Sequence, residues 1–258
     1  MDIDKIKKLK IHYAHNADCM RKFEFNKMFK LRPFSTRTLP TVVFGCYHKK
    51  DYELIKNHKG IIVVVWCGRD THSNMFIDKP NVVHTTWLPH VRKYLIDRGV
   101  NCHLLKIPSR EKPTPIVRGD KVYAYLSKDN PQYHGSDIVE QLNLNGKLLI
   151  GDNTVSRYTW YRGEANKFYS QAYIGLMLSS YTGGGFSILE MGLRGIRVVT
   201  NVIDLPNTIR WETVSDVQTA IDNEAKNAWS TDTDLANAVY EATAHDFDSF
   251  DLSKLWIE

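Results

Sequence analysis

The residues with the clearest chemical signature lie between positions 168 and 201, in FYSQAYIGLMLSSYTGGGFSILEMGLRGIRVVTN. An apolar run from Ala172 to Leu178 reads as a strand. It enters a polar turn and Gly183-Gly184-Gly185, and a helical pattern follows through Ile188, Leu189, Met191 and Leu193 to Gly195. Glycines at a strand-to-helix turn let the backbone approach a ligand closely. The helix then aims its unbonded N–H groups and positive dipole end at that ligand. A phosphate is the natural guest. Glu190 is acidic within an apolar stretch and needs a partner such as a sugar hydroxyl or a main-chain donor. The turn is neither G-x-G-x-x-G nor a Walker loop, and the local pattern alone fits an unliganded α/β turn equally well.

The elements that must position these residues follow a strand–helix rhythm. Residues 5–13 are expected as an edge strand, 17–31 as a helix and 32–40 as a loop. Thr41 to Phe44 reads as a short buried strand, and 49–57 as a helix burying Tyr52, Leu54 and Ile55. Ile61 to Trp66 is continuous and β-branched, as in a sheet covered on both faces. Cys67-Gly68-Arg69-Asp70 follows at its carboxyl end, where open α/β sheets bind ligands, so Arg69 and Asp70 are site candidates. Strand 82–83, helix 87–98 and strand 102–107 complete a first lobe. Residues 108–119 hold three prolines and read as a linker. A second series begins with strand 121–126, then Ser127-Lys128, helix 136–143 capped by Ser136, strand 147–151, loop 152–161 and helix 162–170. After strand 196–200 come helices at 214–226 and 233–244. Short connections between alternating elements imply parallel sheets. The expected fold class is α/β, with two Rossmann-like lobes over 1–110 and 111–258. With 258 residues the chain is short for two full lobes, and the N-terminal one is expected to be reduced.

The glycine region resembles the donor-site motif of GT-B nucleotide-sugar glycosyltransferases of the retaining Glu-x7-Glu kind. Ser179, Gly183, Gly185, Glu190, Gly195 and Val198 fall on that pattern, while the family's first Glu falls on Thr182 and its Pro on Arg197. The short length also resembles compact glycosyltransferases of viruses and marine microbes. The resemblance implies a metal-independent, hexosyltransferase-like transfer of sugar from a nucleotide-sugar donor to an acceptor hydroxyl. The donor would be a substrate, with no cofactor and no metal. It implies a C-terminal donor lobe and an N-terminal acceptor lobe. Glu190 would hold the ribose, and the Gly183-Gly184-Gly185 turn with Phe186 and Ser187 the diphosphate. Ser127 and Lys128 would contact the phosphates from the end of the lobe's first strand. Tyr158, with Trp160 and Tyr161, would stack on the base, and Arg157 or Arg162 would reach a phosphate. Thr182 stands where the family's residue faces the donor sugar. Thr182 and Asp70 are the catalytic candidates, Asp70 as a general base if the reaction inverts, with His84 and His90 as further candidates.

Composition narrows the partners. Net charge is +5, and lysines and arginines crowd the first sixty positions. A basic first lobe suits a phosphosugar or glycan acceptor or a peripheral anionic surface. Nucleic acid is the least favoured, because no DNA- or RNA-binding motif is present. The four cysteines lack C-x-x-C spacing and read as reduced core thiols. The acidic pairs Asp232/Asp234 and Asp246/Asp248 sit in Ser/Thr/Asp-rich loops and read as caps, not metal ligands. Residues 1–10 are charged and no apolar run reaches eighteen residues, so a soluble, cytoplasmic protein is expected. The alternative to an enzyme is a non-catalytic nucleotide or sugar-phosphate binding module, motivated by Thr182.

Overall fold

Short β-branched runs separated by glycine and proline build the first part of the chain. The computed structural model describes residues 2–17, 25–68, 70–71, 76–77, 79–109, 111–126, 131–151, 168–179, 185–244 and 250–257. In order come α1 (Ile3–Lys7), β1 (Lys10–Ile11), β2 (Tyr13–Asn16), α2 (Phe25–Met28), β3 (Arg32–Pro33), β4 (Thr41–Phe44), α3 (Lys49–Asn57), β5 (Ile62–Trp66), β6 (Val82–Thr86), α4 (Pro89–Ile96) and β7 (Cys102–Leu105). Six strands form a parallel array in the order β7-β6-β5-β4-β2-β3. Every residue of β4 and β5 is buried, as continuous apolar strands require. Residues 5–13 are not one edge strand. Asp2 caps a helical turn through Lys7, and β2 lies inside the sheet between β3 and β4.

The second series comprises β8 (Lys121–Tyr125), α5 (Ser136–Val139), β9 (Leu148–Gly151), β10 (Ala172–Met177), α6 (Phe186–Gly192), β11 (Arg197–Thr200), β12 (Thr208–Ile209), α7 (Val214–Ala225) and α8 (Thr233–Ala242). Its sheet is parallel, ordered β12-β11-β10-β8-β9. Val122, Ile174, Leu176 and Val199 pack there with Val217 and Ile221 of α7. Ser136 is the first residue of α5; the cap is Gly135, whose φ of 80° takes the left-handed conformation that glycine adopts readily.

The tail then returns. β13 (Phe250–Asp251) pairs antiparallel with β1, α9 (Leu252–Leu255) follows, and β14 (Trp256–Ile257) pairs antiparallel with β7, giving the first sheet seven strands. Phe250 sets its ring edge-on to Phe29 and Phe44. The chain accordingly divides into Met1–Arg110 with Thr243–Glu258, and Glu111–Ala242. Residues 243–258, expected with the second lobe, group with the first, and Phe250, Leu252 and Leu255 are buried. The first unit is compact through short elements, since its seven sheet strands are two to five residues long. Residues 111–119 have no regular structure, yet they are docked on the second unit: Thr114 and Ile116 donate to the carbonyls of Leu193 and Arg194. Among the described residues no helix is long and apolar enough to cross a membrane.

Candidate functional site

In the second unit the chain passes from β8 to β9 on one side and then to β10 on the other. The carboxyl ends of β8 and β10 therefore flank a topological switch point, the place where open α/β sheets bind ligands. Gly185, whose φ of 67° needs glycine's freedom, caps α6. Phe186 and Ser187, the first residues of α6, are both buried. Glu190 is the fifth residue of that helix.

Glu190 has a side-chain partner. Tyr169 Oη donates to Glu190 Oε2 at 3.1 Å. Burial, and next the Glu190 charge, raise the Tyr169 phenol well above its ordinary range, so it stays protonated and acts as donor. Arg194 donates to the carbonyl of Glu190 at 2.7 Å and pairs with Glu111 at 3.3 Å, closing the end of α6. Two glycines let the helix sit close. A Cβ on Gly175 of β10 would meet Met191, and one on Gly192 would meet the side chain of Asn207. Asn207 is fully buried and donates to the carbonyls of Ile188 and Ile196, tying α6 to the start of β11.

In the first unit Asp70 lies beyond the carboxyl end of β5, as expected, and is 2% exposed. Its carboxylate accepts the main-chain N–H groups of Cys46 and Cys67 at 3.1 Å, clamping the ends of β4 and β5 together. Burial pushes its pKa up to about 7, against the lowering effect of those N–H groups. His84 is packed in the core and accepts the indole N–H of Trp66 at 3.1 Å. A further pair escaped sequence reading: His15 Nε2 lies 2.7 Å from Asp51 Oδ1. Burial favours protonation of Asp51. The hydrogen bonds from His15 and the N–H groups of His48 and Tyr47 outweigh it and hold the carboxyl below its ordinary range.

No protein-family model matches the chain, and no curated protein matches it. Among solved structures, the crystal structure of TarM superposes with a TM-score of 0.52 at 12% identity, covering 88% of this chain and 55% of TarM's. The chain shares its fold with TarM. TarM is a glycosyltransferase of GT-B type. This chain thus spans about half of TarM's length, and at this identity the likeness extends to the fold alone.

Gly185 is the N-cap of α6, and Phe186, Ser187 and Glu190 lie among its first five residues. Ser127, Lys128, Tyr158, Arg162, Thr182, Gly183 and Gly184 lie outside the described residues, as do Arg69, Arg157, Trp160 and Tyr161. Asp232 accepts the N–H of Leu235 at 3.0 Å and so caps α8, as expected; Asp246 and Asp248 lie outside the described residues. Cys46, Cys67 and Cys102 are buried thiols outside any disulfide. The basic start of the chain lines a cavity of about 360 Å³ through Lys7, Lys8, Lys10 and His12, opposite Asp251. Tyr169, Arg194 and Asn207 were missed because their roles depend on contacts across the fold; only the isolated acid at 190 signalled that a partner was needed.

Proposed function

We propose that the chain is a glycosyltransferase that moves a sugar from a nucleotide-sugar donor to an acceptor hydroxyl, with the donor held by the second unit. The observation that carries this reading is Glu190, held by Tyr169 on the helix that follows the switch-point strand β10. Its free-energy logic is simple. A carboxylate in an apolar helix is costly to bury, and a pair of sugar hydroxyls would supply the donors that such a group takes up. The fold shared with TarM supports the same reading. In this reading Ser127, Lys128, the Gly183-Gly184-Gly185 turn and Ser187 serve the diphosphate, Tyr158 the base, Arg162 a phosphate and Thr182 the sugar. The leaving diphosphate is stabilised by main-chain and basic groups without a metal, and the transferred group is a hexose.

Thr182 favours a second reading, in which the same site binds a nucleotide or sugar phosphate without turnover, because the resemblance places a carboxylate there. A thermal-shift panel of nucleoside diphosphates and nucleotide sugars, run on wild type and Glu190→Ala, tests the binding site. Ligands that bind only the folded state raise its melting temperature. A selective shift abolished by the substitution is expected. Shifts of equal size in both proteins would remove Glu190 from the site. Release of nucleoside diphosphate from the bound donor then separates enzyme from binding module.

A further inference from the structure

The first unit holds a charged cavity that the glycosyl-transfer reading does not use. Its volume is about 360 Å³. Lys7, Lys8, Lys10 and His12 reach it from the stretch that joins α1 to β2, and Asp251 and Ser253 from the returning tail. The antiparallel pairing of β1 with β13 holds the two stretches together, with Lys10 opposite Asp251 and Ile11 opposite Phe250. Ile11 and Phe250 also line the cavity and are each 2% exposed. The Phe250 ring is braced in turn by Phe29 and Phe44. The result is a fixed, buried apolar floor beside the exposed side chains of Lys8, Lys10 and His12.

The cavity is separate from the crevice of its own sheet. From β2 the chain moves to β3 on one side and then to β4 on the other, so the crevice rule directs a ligand to the carboxyl ends of β2 and β4. Lys7 to His12 run up to Tyr13, the first residue of β2, so the cavity stands at the amino end of that strand.

Charge states what the cavity takes. Among the described lining residues three lysines face one aspartate, an excess of two positive charges. The aspartate is already engaged: Asp251 Oδ1 accepts the N–H and the hydroxyl of Ser253 at 2.9 and 2.6 Å and so caps α9. The lysine charge is felt beyond the cavity. Lys7 Nζ lies 5.6 Å from the ring centre of Trp256, which packs on His103 at 4.3 Å. Burial, and next the charges of Arg92 and Lys7, lower the pKa of His103. Like charges beside an apolar floor repel one another more strongly than in water, and a bound anion relieves that repulsion. A phosphate monoester carries about two negative charges at neutral pH, and its oxygens accept charge-assisted hydrogen bonds from ammonium groups. A concave site of this size encloses a small molecule; a bilayer surface is flat and would not enter it.

We propose that this cavity binds the phosphate monoester of a small organic molecule, with Lys7, Lys8 and Lys10 around the phosphate and Ile11 and Phe250 beneath the carbon body. The site is one of binding and does not depend on the glycosyl-transfer reading.

The test titrates the whole chain with glycerol 3-phosphate and glucose 6-phosphate, and with glycerol and glucose as uncharged counterparts, by calorimetry and by NMR of the lysine and histidine side chains. The phosphorylated probes are expected to bind and to shift the signals of Lys8, Lys10 and His12, and the uncharged ones to do neither. Lys8→Gln combined with Lys10→Gln should weaken binding about tenfold or more. Both side chains are exposed, so the fold is kept, and a thermal melt checks this. Asp251→Asn retains an acceptor for the cap and removes the opposing charge, so it should bind severalfold more tightly. Glu190→Ala, altered in the other unit, should bind these probes as wild type does, which keeps failure at the donor site distinct from failure here. Equal responses to charged and uncharged probes overturn the proposal, as does unchanged affinity in the double lysine variant. Binding only to phosphatidylglycerol vesicles, with none to the small phosphates, overturns it too and assigns the lysines to a lipid surface.

Discussion

Tyr169 and Glu190 are joined by a hydrogen bond of 3.1 Å that crosses from the turn before β10 to the middle of α6. The phenol is buried and cannot ionise at ordinary pH, so it supplies a permanent donor to one carboxylate oxygen. Tyr169→Phe removes that donor. The expected cost is about 1 kcal/mol of stability, because Glu190 is partly exposed and water replaces part of the bond. Nucleotide affinity should fall severalfold in titration calorimetry. Unchanged affinity together with unchanged melting would mean that the bond does not set the carboxylate.

Gly192→Ala should be costly and Gly175→Ala mild. The added Cβ at 192 would lie 2.7 Å from Cγ and Oδ1 of Asn207, whose amide is fastened to two carbonyls. At 175 it would lie 2.7 Å from Sδ and Cε of Met191, the adaptable end of a flexible chain. Overpacking typically costs about 1–3 kcal/mol, and the upper part of that range is expected only at 192. Denaturant melts of the two variants check the contrast, and equal losses would contradict it.

Arg118 anchors the docked segment 111–119. It is 3% exposed, donates to Ser230 and to the carbonyl of Gly195, and lies 3.7 Å from Glu224. Arg197 at 3.4 Å and Asn227 at 3.0 Å also serve Glu224. Arg118→Ala is expected to cost about 3 kcal/mol, the lower end for a broken buried pair, since those two partners remain. A loss within the range of surface substitutions would show that the segment is not anchored there.

Stability should depend on pH through two aspartates with opposite signs. Unfolded Asp70 titrates at about 3.9 and folded Asp70 at about 7. Between those values the folded chain holds a proton that the unfolded chain has lost. The contribution of Asp70 is therefore fully present below that window and disappears as pH rises through about 7. Asp51, lowered in the fold, adds stability above the ordinary carboxylate range that is lost as pH falls through its folded value. Urea melts from about pH 4 to about pH 8 should show the downward slope, and Asp70→Asn should flatten it. An identical slope in the variant would assign the titration elsewhere.

How much of this was legible in the sequence follows from the range of the forces involved. The apolar runs at 41–44, 62–66 and 172–177, the helix at 49–57 and the acid at 190 could be read directly, because strand and helix preference, turn chemistry and the cost of an isolated charge act over neighbouring residues. The order of the strands could not. β2 became an interior strand and the tail joined the first sheet because their apolar faces find cover only there. The partners of the two carboxylates were equally hidden. Tyr169 is 21 residues from Glu190, and His15 is 36 from Asp51. Sequence alone determined that Glu190 needed a donor; only the packing of distant elements decided that a tyrosine supplies it, and that a histidine and an aspartate meet where the first sheet changes direction.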